Sequence, residues 1–339
     1  AAAVGKPAAE ERSMPHLAVR TDAPAAPRCF NNRRVALAAA FLLATGALYL
    51  GHAFGWRQAA LYSVGGGLGL TLYHASFGFT GAWRRFLVDR RGDGVRAQIL
   101  LLAIAVVLFF PALNHGSLFG RDVVGSVAPL QISVLVGAFV FGIGMQLGGG
   151  CASGTLFTIG GGSMRMLTTL AGFILGALIA TAHLHWWRAL PGLPAFSMVE
   201  TLGLWPALAS NLAVLALLGA CAWWLEQRRH RGKVAESPPQ PEPPWPHRLV
   251  RGPWPLAWGA IGLALLNFTT LALAGRPWGV ASAFPLWGAK LARLLGIDVA
   301  AWPHWAERDR LLADSVLTDV TSVMNFGIVV GALLAASLA

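Results

Sequence analysis

The stretch LGGGCASGTL, Leu147–Leu156, sets a thiol and two hydroxyls among four glycines and carries no charge. Three consecutive glycines permit a sharp turn or a positive φ. Cys151, Ala152, Ser153 and Gly154 can then open a short helix whose first backbone N–H groups have no intrahelical acceptor. Those N–H groups and the helix dipole favour an anion without needing a buried lysine or arginine. A thiol is a weak, polarisable donor. It suits a soft, sulfur-bearing anion held loosely enough to move on. The expected contacts are Cys151 on sulfur and the backbone around Gly149, Gly150, Ala152, Ser153 and Gly154 on oxygen. The other reading of such glycines is close helix packing, and Gly142 and Gly144 on the approach are read that way. A second cluster, Gly160–Gly162, is expected to turn the backbone again before Arg165.

The composition states where such a turn would lie. Of 339 residues, 55% are hydrophobic and only 12% are charged, against about 25% charged in soluble domains. Low charge and long apolar runs define an all-α polytopic membrane protein. The 14 tryptophans fit membrane–water interfaces. Spans are expected at Val35–Gly51, Ala59–Tyr73, Gln98–Leu113, Leu130–Leu147, Met166–Ala182, Ala207–Leu225, Leu256–Ala274 and Val320–Ala339. The net charge of +11 sits in short loops between these runs, which argues against nucleic-acid binding. With a cytoplasmic N-terminus, the inside segments up to residue 251 hold 18 Lys/Arg and the outside loops hold 3. That asymmetry orients the chain in a membrane, and a bacterial inner membrane is expected.

Four segments follow. Residues 1–34 form a basic, Ala/Pro-rich cytoplasmic segment without the apolar core of a signal peptide. Residues 35–225 form a first membrane half, 226–253 a Pro-rich, basic cytoplasmic linker expected to be extended, and 254–339 a second half. Two stretches, Tyr73–Arg90 and Ala274–Gly296, each follow an apolar helix and end as a short amphipathic basic helix. HASFGFTGAWRRFL lies over WGVASAFPLWGAKL, with Gly78 above Ser282. The helices leading into them run in opposite senses, so an inverted repeat is expected. Two unrelated juxtamembrane helices would look similar. The second repeat reads as incomplete, since both chain ends look cut.

Cys29, Cys151 and Cys221 form no CxxC pair, so neither a disulfide framework nor a zinc site is indicated. Cys221 reads as a small buried hydrophobe. His74 reads as an interfacial or packed residue. Arg276 reads as an interfacial cation or one that attracts incoming anions. His183, His185 and His304 lack a third clustered ligand for a metal. No catalytic constellation appears, and no cofactor is expected.

The motif GMQLGGGCASGTL, Gly144–Leu156, resembles the signature of the YeeE/YedE family of sulfur-compound transporters, whose studied members import thiosulfate. The segments SFGFTGAWRRF and GRPWGVASAFPLWGAK resemble that family's two pseudo-symmetric motifs. The resemblance implies an inverted-repeat helical fold with short re-entrant half-helices. It also implies a narrow route along which cysteines pass thiosulfate through hydrogen bonds to sulfur. Cys151 maps onto one such cysteine. Gly78 stands where the family commonly has another, and Ser76 or Ser282 could replace the missing donor. The family's second glycine–cysteine loop is expected after the last apolar helix, and this chain ends at Ala339 first. The expected activity is import of thiosulfate or a related sulfur anion, without enzymatic chemistry. The alternative is a membrane sulfur carrier holding a persulfide on Cys151 for a partner enzyme, such as a cytoplasmic sulfurtransferase. Membrane lipid is the remaining expected partner.

Overall fold

The structure, a computed structural model, describes residues 33–230, 244–306 and 308–339. The N-terminal segment therefore lies outside the described residues, apart from Arg33 and Arg34 in the first helix. The helices are α1 (Arg33–Phe54), α2 (Trp56–His74), α3 (Phe79–Val88), α4 (Asp93–His115), α5 (Ile132–Gly148), α6 (Ala152–Gly160) and α7 (Arg165–Ala182). They continue as α8 (Leu184–Arg188), α9 (Met198–Leu202), α10 (Leu204–His230), α11 (Trp245–Arg251) and α12 (Leu256–Ala274). The last three are α13 (Ala283–Leu294), α14 (Asp309–Ala313) and α15 (Val320–Leu338). Two short antiparallel ribbons pair β1 (Ser117–Leu118) with β2 (Arg121–Asp122) and β3 (Pro129–Gln131) with β4 (Gly192–Ala195).

All eight expected spans are helical over nearly their whole length, Leu130 and Gln131 of the fourth lying instead in β3. Seven stretches of the described residues are long and apolar enough to cross a membrane, one of them being Ile132–Gly160, which breaks at the Gly149–Cys151 turn. The eighth helix, α2, falls outside that set, since Arg57, Gln58 and His74 at its ends and four glycines within it lower its mean hydropathy. It is nevertheless one of the most enclosed helices, and the glycines are the reason. A Cβ on Gly65 would lie 2.3 Å from the Met324 carbonyl oxygen, and one on Gly69 2.1 Å from that of Ile328. From the other side, Gly327 meets the Tyr62 carbonyl at 2.3 Å and Gly331 meets that of Gly66 at 2.0 Å. The backbones of α2 and α15 touch through matched glycines, as small-residue seams in membranes allow.

These contacts also fix directions. Gln58 donates to the Leu317 and Thr318 carbonyls near the start of α15, and Gly65 and Gly69 meet successively later residues. Helices α2 and α15 are therefore parallel. Against α12 the order reverses. Arg57 bonds the Leu273 carbonyl, Gly67 faces Leu266, Thr71 faces Gly262, and the Trp254 N–H donates to the His74 carbonyl. Helix α4 runs parallel to α12, with Gln98 near Leu256 and the Phe109 ring 5.8 Å from Phe268. Thus α2 lies along α15 and α12 along α4, while α2 and α12 oppose each other. Helix α1 packs on α15, and α10 packs on α4, where Arg96 pairs with the buried Glu226. The aligned positions Gly78 and Ser282 are the N-cap residues of α3 and α13. These directions and packings are what an inverted repeat requires.

One expectation needs correction. The linker is not extended at its described ends, where α10 runs through to His230 and Trp245–Arg251 form α11. Its middle lies outside the described residues. Long apolar helices continue past the span when their last turns find partners, and here Arg228 stacks 3.8 Å above the Trp224 ring.

The glycine seam yields a test. Gly69→Ala should destabilise the protein by about 1–3 kcal/mol, because backbone rather than a movable side chain blocks the new methyl. Gly172→Ala on α7, where nothing lies within 4 Å, should be neutral or gain up to about 1 kcal/mol. Thermal unfolding of both variants in detergent compares the two.

Candidate functional site

The turn between α5 and α6 is built as its glycines require. Gly149 caps α5 with φ 74°, a left-handed conformation that costs other residues about 1–2 kcal/mol. Gly150 is buried, and a Cβ there would lie 3.3 Å from both the amide nitrogen and Oγ1 of Thr155. The chain thus folds back directly onto the first turn of α6.

Cys151 is the N-cap of α6. Its Sγ accepts the Gly154 N–H at 3.4 Å and lies 3.4 Å from Ser153 Oγ. Its carbonyl accepts the Thr155 N–H at 2.8 Å. The sulfur therefore plays the part that a serine or aspartate oxygen plays at ordinary helix starts. The Gly154 N–H, expected to face an anion, is occupied by that sulfur. The N–H groups of Ala152 and Ser153 remain without an intrahelical acceptor. Cys151 and Ser153 are half-buried, and Ala152 and Gly154 are buried. Helix α6 has nine residues, about 14 Å of rise, less than half of a hydrocarbon core of about 30 Å.

The two glycine clusters divide between turning and packing. In the second, only Gly162 has a positive φ, at 92°. Gly160 instead lets α6 press on α15, where a Cβ would meet the Val329 carbonyl at 2.3 Å. Gly161 meets the Tyr73 ring at 2.6 Å. Gly142 and Gly144, expected to mediate packing, have nothing within 4 Å of a Cβ position. Helix α5 has no buried residue, so it offers no neighbour for them to approach.

The other expected site residues lie apart from this turn. Ser76, at φ 47°, and Gly78 form the corner between α2 and α3. With Phe77, Ala82, Arg85 and Gln98 they line a small cleft. A Cβ on Gly78 would enter open space, so a side chain fits there sterically. Ser282 ends the 3-10 turn Val280–Ser282, which lies beside α6. Its Oγ donates to the Gly279 carbonyl at 2.8 Å and meets Thr321 Oγ1 at 3.0 Å. Among the described residues no hydrogen bond joins Ser76, Gly78 or Ser282 to the Cys151 turn. The three places share one buried cluster, which contains Phe77, Ala152 and Phe284.

Sequence reasoning missed the polar atoms closed inside this region. Thr155 is 0% exposed and its Oγ1 has no partner. Asn325, also 0% exposed, donates Nδ2 to the Val280 carbonyl at 3.0 Å while its Oδ1 has none. Thr321 and Ser322 are buried on the same helix. The signal was present, because VTSVMN puts three polar residues near the start of an apolar span, where such residues mark function. At the end of α12, Arg276 lies 3.8 Å from Asp319 Oδ1 and close to Arg57. Arg121 joins them, packed against Gly275. Among the described residues no group of three or more His, Cys, Asp or Glu could hold a metal ion. Cys221 is exposed on α10, against the expectation of burial.

The turn yields a test of its own. Gly149→Ala should lower the unfolding temperature more than Gly149→Asn, because asparagine tolerates the left-handed region better.

The Sulphur transport family matches residues 74–339. The thiosulfate transporter TsuA of Spirochaeta thermophila is 28% identical over 131 residues, 38% of this chain and 38% of that protein. The thiosulfate transporter TsuA of Escherichia coli is 26% identical over 179 residues, 51% of this chain and 49% of that protein. The chain thus spans about half, or less, of the length of these curated relatives. Because the family match covers well over half of the 339 residues, the chain belongs to the Sulphur transport family.

Proposed function

We propose that this protein imports thiosulfate or a related sulfur anion across a bacterial inner membrane, with its N-terminus in the cytoplasm. The observation that carries this reading is Cys151 at the head of α6, between a left-handed glycine and two N–H groups without intrahelical acceptors. A sulfur oxyanion has a soft sulfur end for the thiol and oxygens for the N–H groups. Each contact is weak, as passage through a site demands. The orphan hydroxyl of Thr155 stands one helical turn behind Cys151 and can donate to a bound oxygen. Ser76 then serves as a further donor along the route, and Ser282 does so when its hydroxyl turns away from the Gly279 carbonyl. Gly78 leaves it room rather than a thiol. The gathered guanidiniums of Arg57, Arg121 and Arg276 support capture at one end, since clustered positive charge raises the local anion concentration. The names of the curated relatives support the substrate class. Opposed α2 and α12 support two pseudo-symmetric membrane halves, 35–225 and 254–339, joined by the linker.

Uptake of labelled thiosulfate by cells expressing the full-length gene tests the reading. Cys151→Ala and Cys151→Ser should each lower uptake at least about tenfold, the equivalent of roughly 1.4 kcal/mol. Unchanged uptake in both would remove the thiol from the mechanism. Mass spectrometry after thiosulfate exposure tests the carrier alternative. There the Cys151 thiolate would attack the outer sulfur, the sulfur–sulfur bond would break, and sulfite would leave with its electron pair. A stable sulfur adduct on Cys151 would favour that chemistry and a sulfurtransferase acceptor. Retained uptake without an adduct favours passage.

The hydroxyl of Thr155 gives a separable prediction. Thr155→Val keeps the shape and removes an unpartnered polar atom, so stability should hold or rise by about 1 kcal/mol. Thiosulfate affinity should fall several-fold, read by binding to the purified variant.

A further inference from the structure

His74 closes α2 and is 3% exposed, yet its Nε2 has no partner. The ring is held on three sides. The Trp254 ring lies 5.4 Å away at a tilt of 33°, and the Tyr73 ring meets it edge-on at 6.3 Å. The backbone of Gly252 comes so near that a Cβ there would be 2.8 Å from Nδ1. The ring also interacts with the Val250 carbonyl, which requires an N–H on the ring nitrogen facing it. Nε2 is then a lone pair sealed from solvent, two residues before the Ser76–Gly78 corner.

Among the described residues the buried titratable side chains are His74, Glu226 and Tyr62; Glu226 is paired with Arg96, and the Tyr62 hydroxyl donates to the Leu42 carbonyl. No carboxylate pairs with His74 among the described residues. The titratable and charged groups on the surrounding elements are Tyr73 on α2, His247, Arg248 and Arg251 on α11, Arg84 and Arg85 on α3, and Asp93 and Arg96 on α4, the last offset by Glu226 of α10. Helices α12 and α15 bring none. This balance is cationic, so a proton on Nε2 lacks a counter-charge until an anion supplies one.

We propose that His74 is a proton-binding site that fills when the anion reaches the Ser76–Gly78 corner, so that anion and proton move together. The inference rests on the transport reading above. A divalent anion entering a negative-inside compartment moves two charges uphill, and one accompanying proton halves that load. The proton comes from solvent on the side the anion enters. It adds to the Nε2 lone pair without breaking any bond, and it returns to solvent on the other side as the anion leaves. Binding is reciprocal, because whatever the anion does for proton affinity, the proton does for anion affinity. The tilted ring contact with Trp254 and the bond from the Trp254 N–H to the His74 carbonyl, at 2.8 Å, join this event to the start of α12.

The test is proton uptake by the purified full chain in weak buffer with a pH indicator, on addition of sodium thiosulfate. Wild type should take up about one proton per anion bound, and its affinity should tighten by up to about tenfold per unit as the pH falls. His74→Gln and His74→Phe should take up none per anion bound, and their affinities should stop responding to pH. The phenylalanine keeps a ring against Trp254, so a folding defect in one variant leaves the other readable. Wild-type binding without proton uptake would overturn the proposal, as would full uptake by either variant. Failure of wild type to bind thiosulfate at all would sink the transport reading itself, and this proposal with it.

Discussion

The backbone contact between α2 and α15 is the constraint on which the rest of the fold depends. Four glycines, two from each helix, face carbonyl oxygens of the other helix at separations no side chain could enter. In lipid there is little hydrophobic force to press helices together, so close van der Waals fit must do it. That fit places α15 against α1, α2 and α6 at once. It also sets the parallel register from which the other helix directions follow. The same seam explains why α15 can carry Thr321, Ser322 and Asn325, because their polar atoms face protein rather than lipid.

The arrangement around Cys151 follows from that frame. Helix α6 is too short to cross a membrane alone and has its own ladder to satisfy. It is stabilised at one end by the cysteine cap and along its side by α15. The polar groups at its head are individually weak donors, a thiol and two N–H groups. The Arg165 guanidinium stands beside the turn, 4.0 Å from where a Cβ on Gly149 would lie. Further guanidiniums are gathered at the end of α12, near Arg57.

Much of this was legible in the sequence, for reasons particular residues make plain. The apolar runs gave the helices because length and hydropathy alone specify a membrane span. The opposed motifs were visible because HASFGFTGAWRRFL and WGVASAFPLWGAKL match while the helices leading into them run in opposite senses. The match of Gly78 with Ser282 survived as two helix N-caps. What the sequence could not separate was why a glycine is there. Gly149 and Gly162 turn the chain, Gly160 and Gly161 admit a neighbour, and Gly142 and Gly144 meet nothing. Those roles depend on which helix lies opposite, a tertiary fact. The enclosure of His74 and Thr155 was hidden for the same reason. Neither has a local pattern that reveals burial, and both are closed in by residues distant in the chain.

The contact of Gly160 with α15 has a mechanical consequence. With Gly160 seated on α15 and Ala152, Gly154 and Thr155 buried, α6 is held at both ends and forms a fixed wall beside the thiol. Its neighbour across the Gly149 turn, the peripheral α5, has none of its side chains buried, so freedom to move beside the thiol lies with α5 rather than with α6.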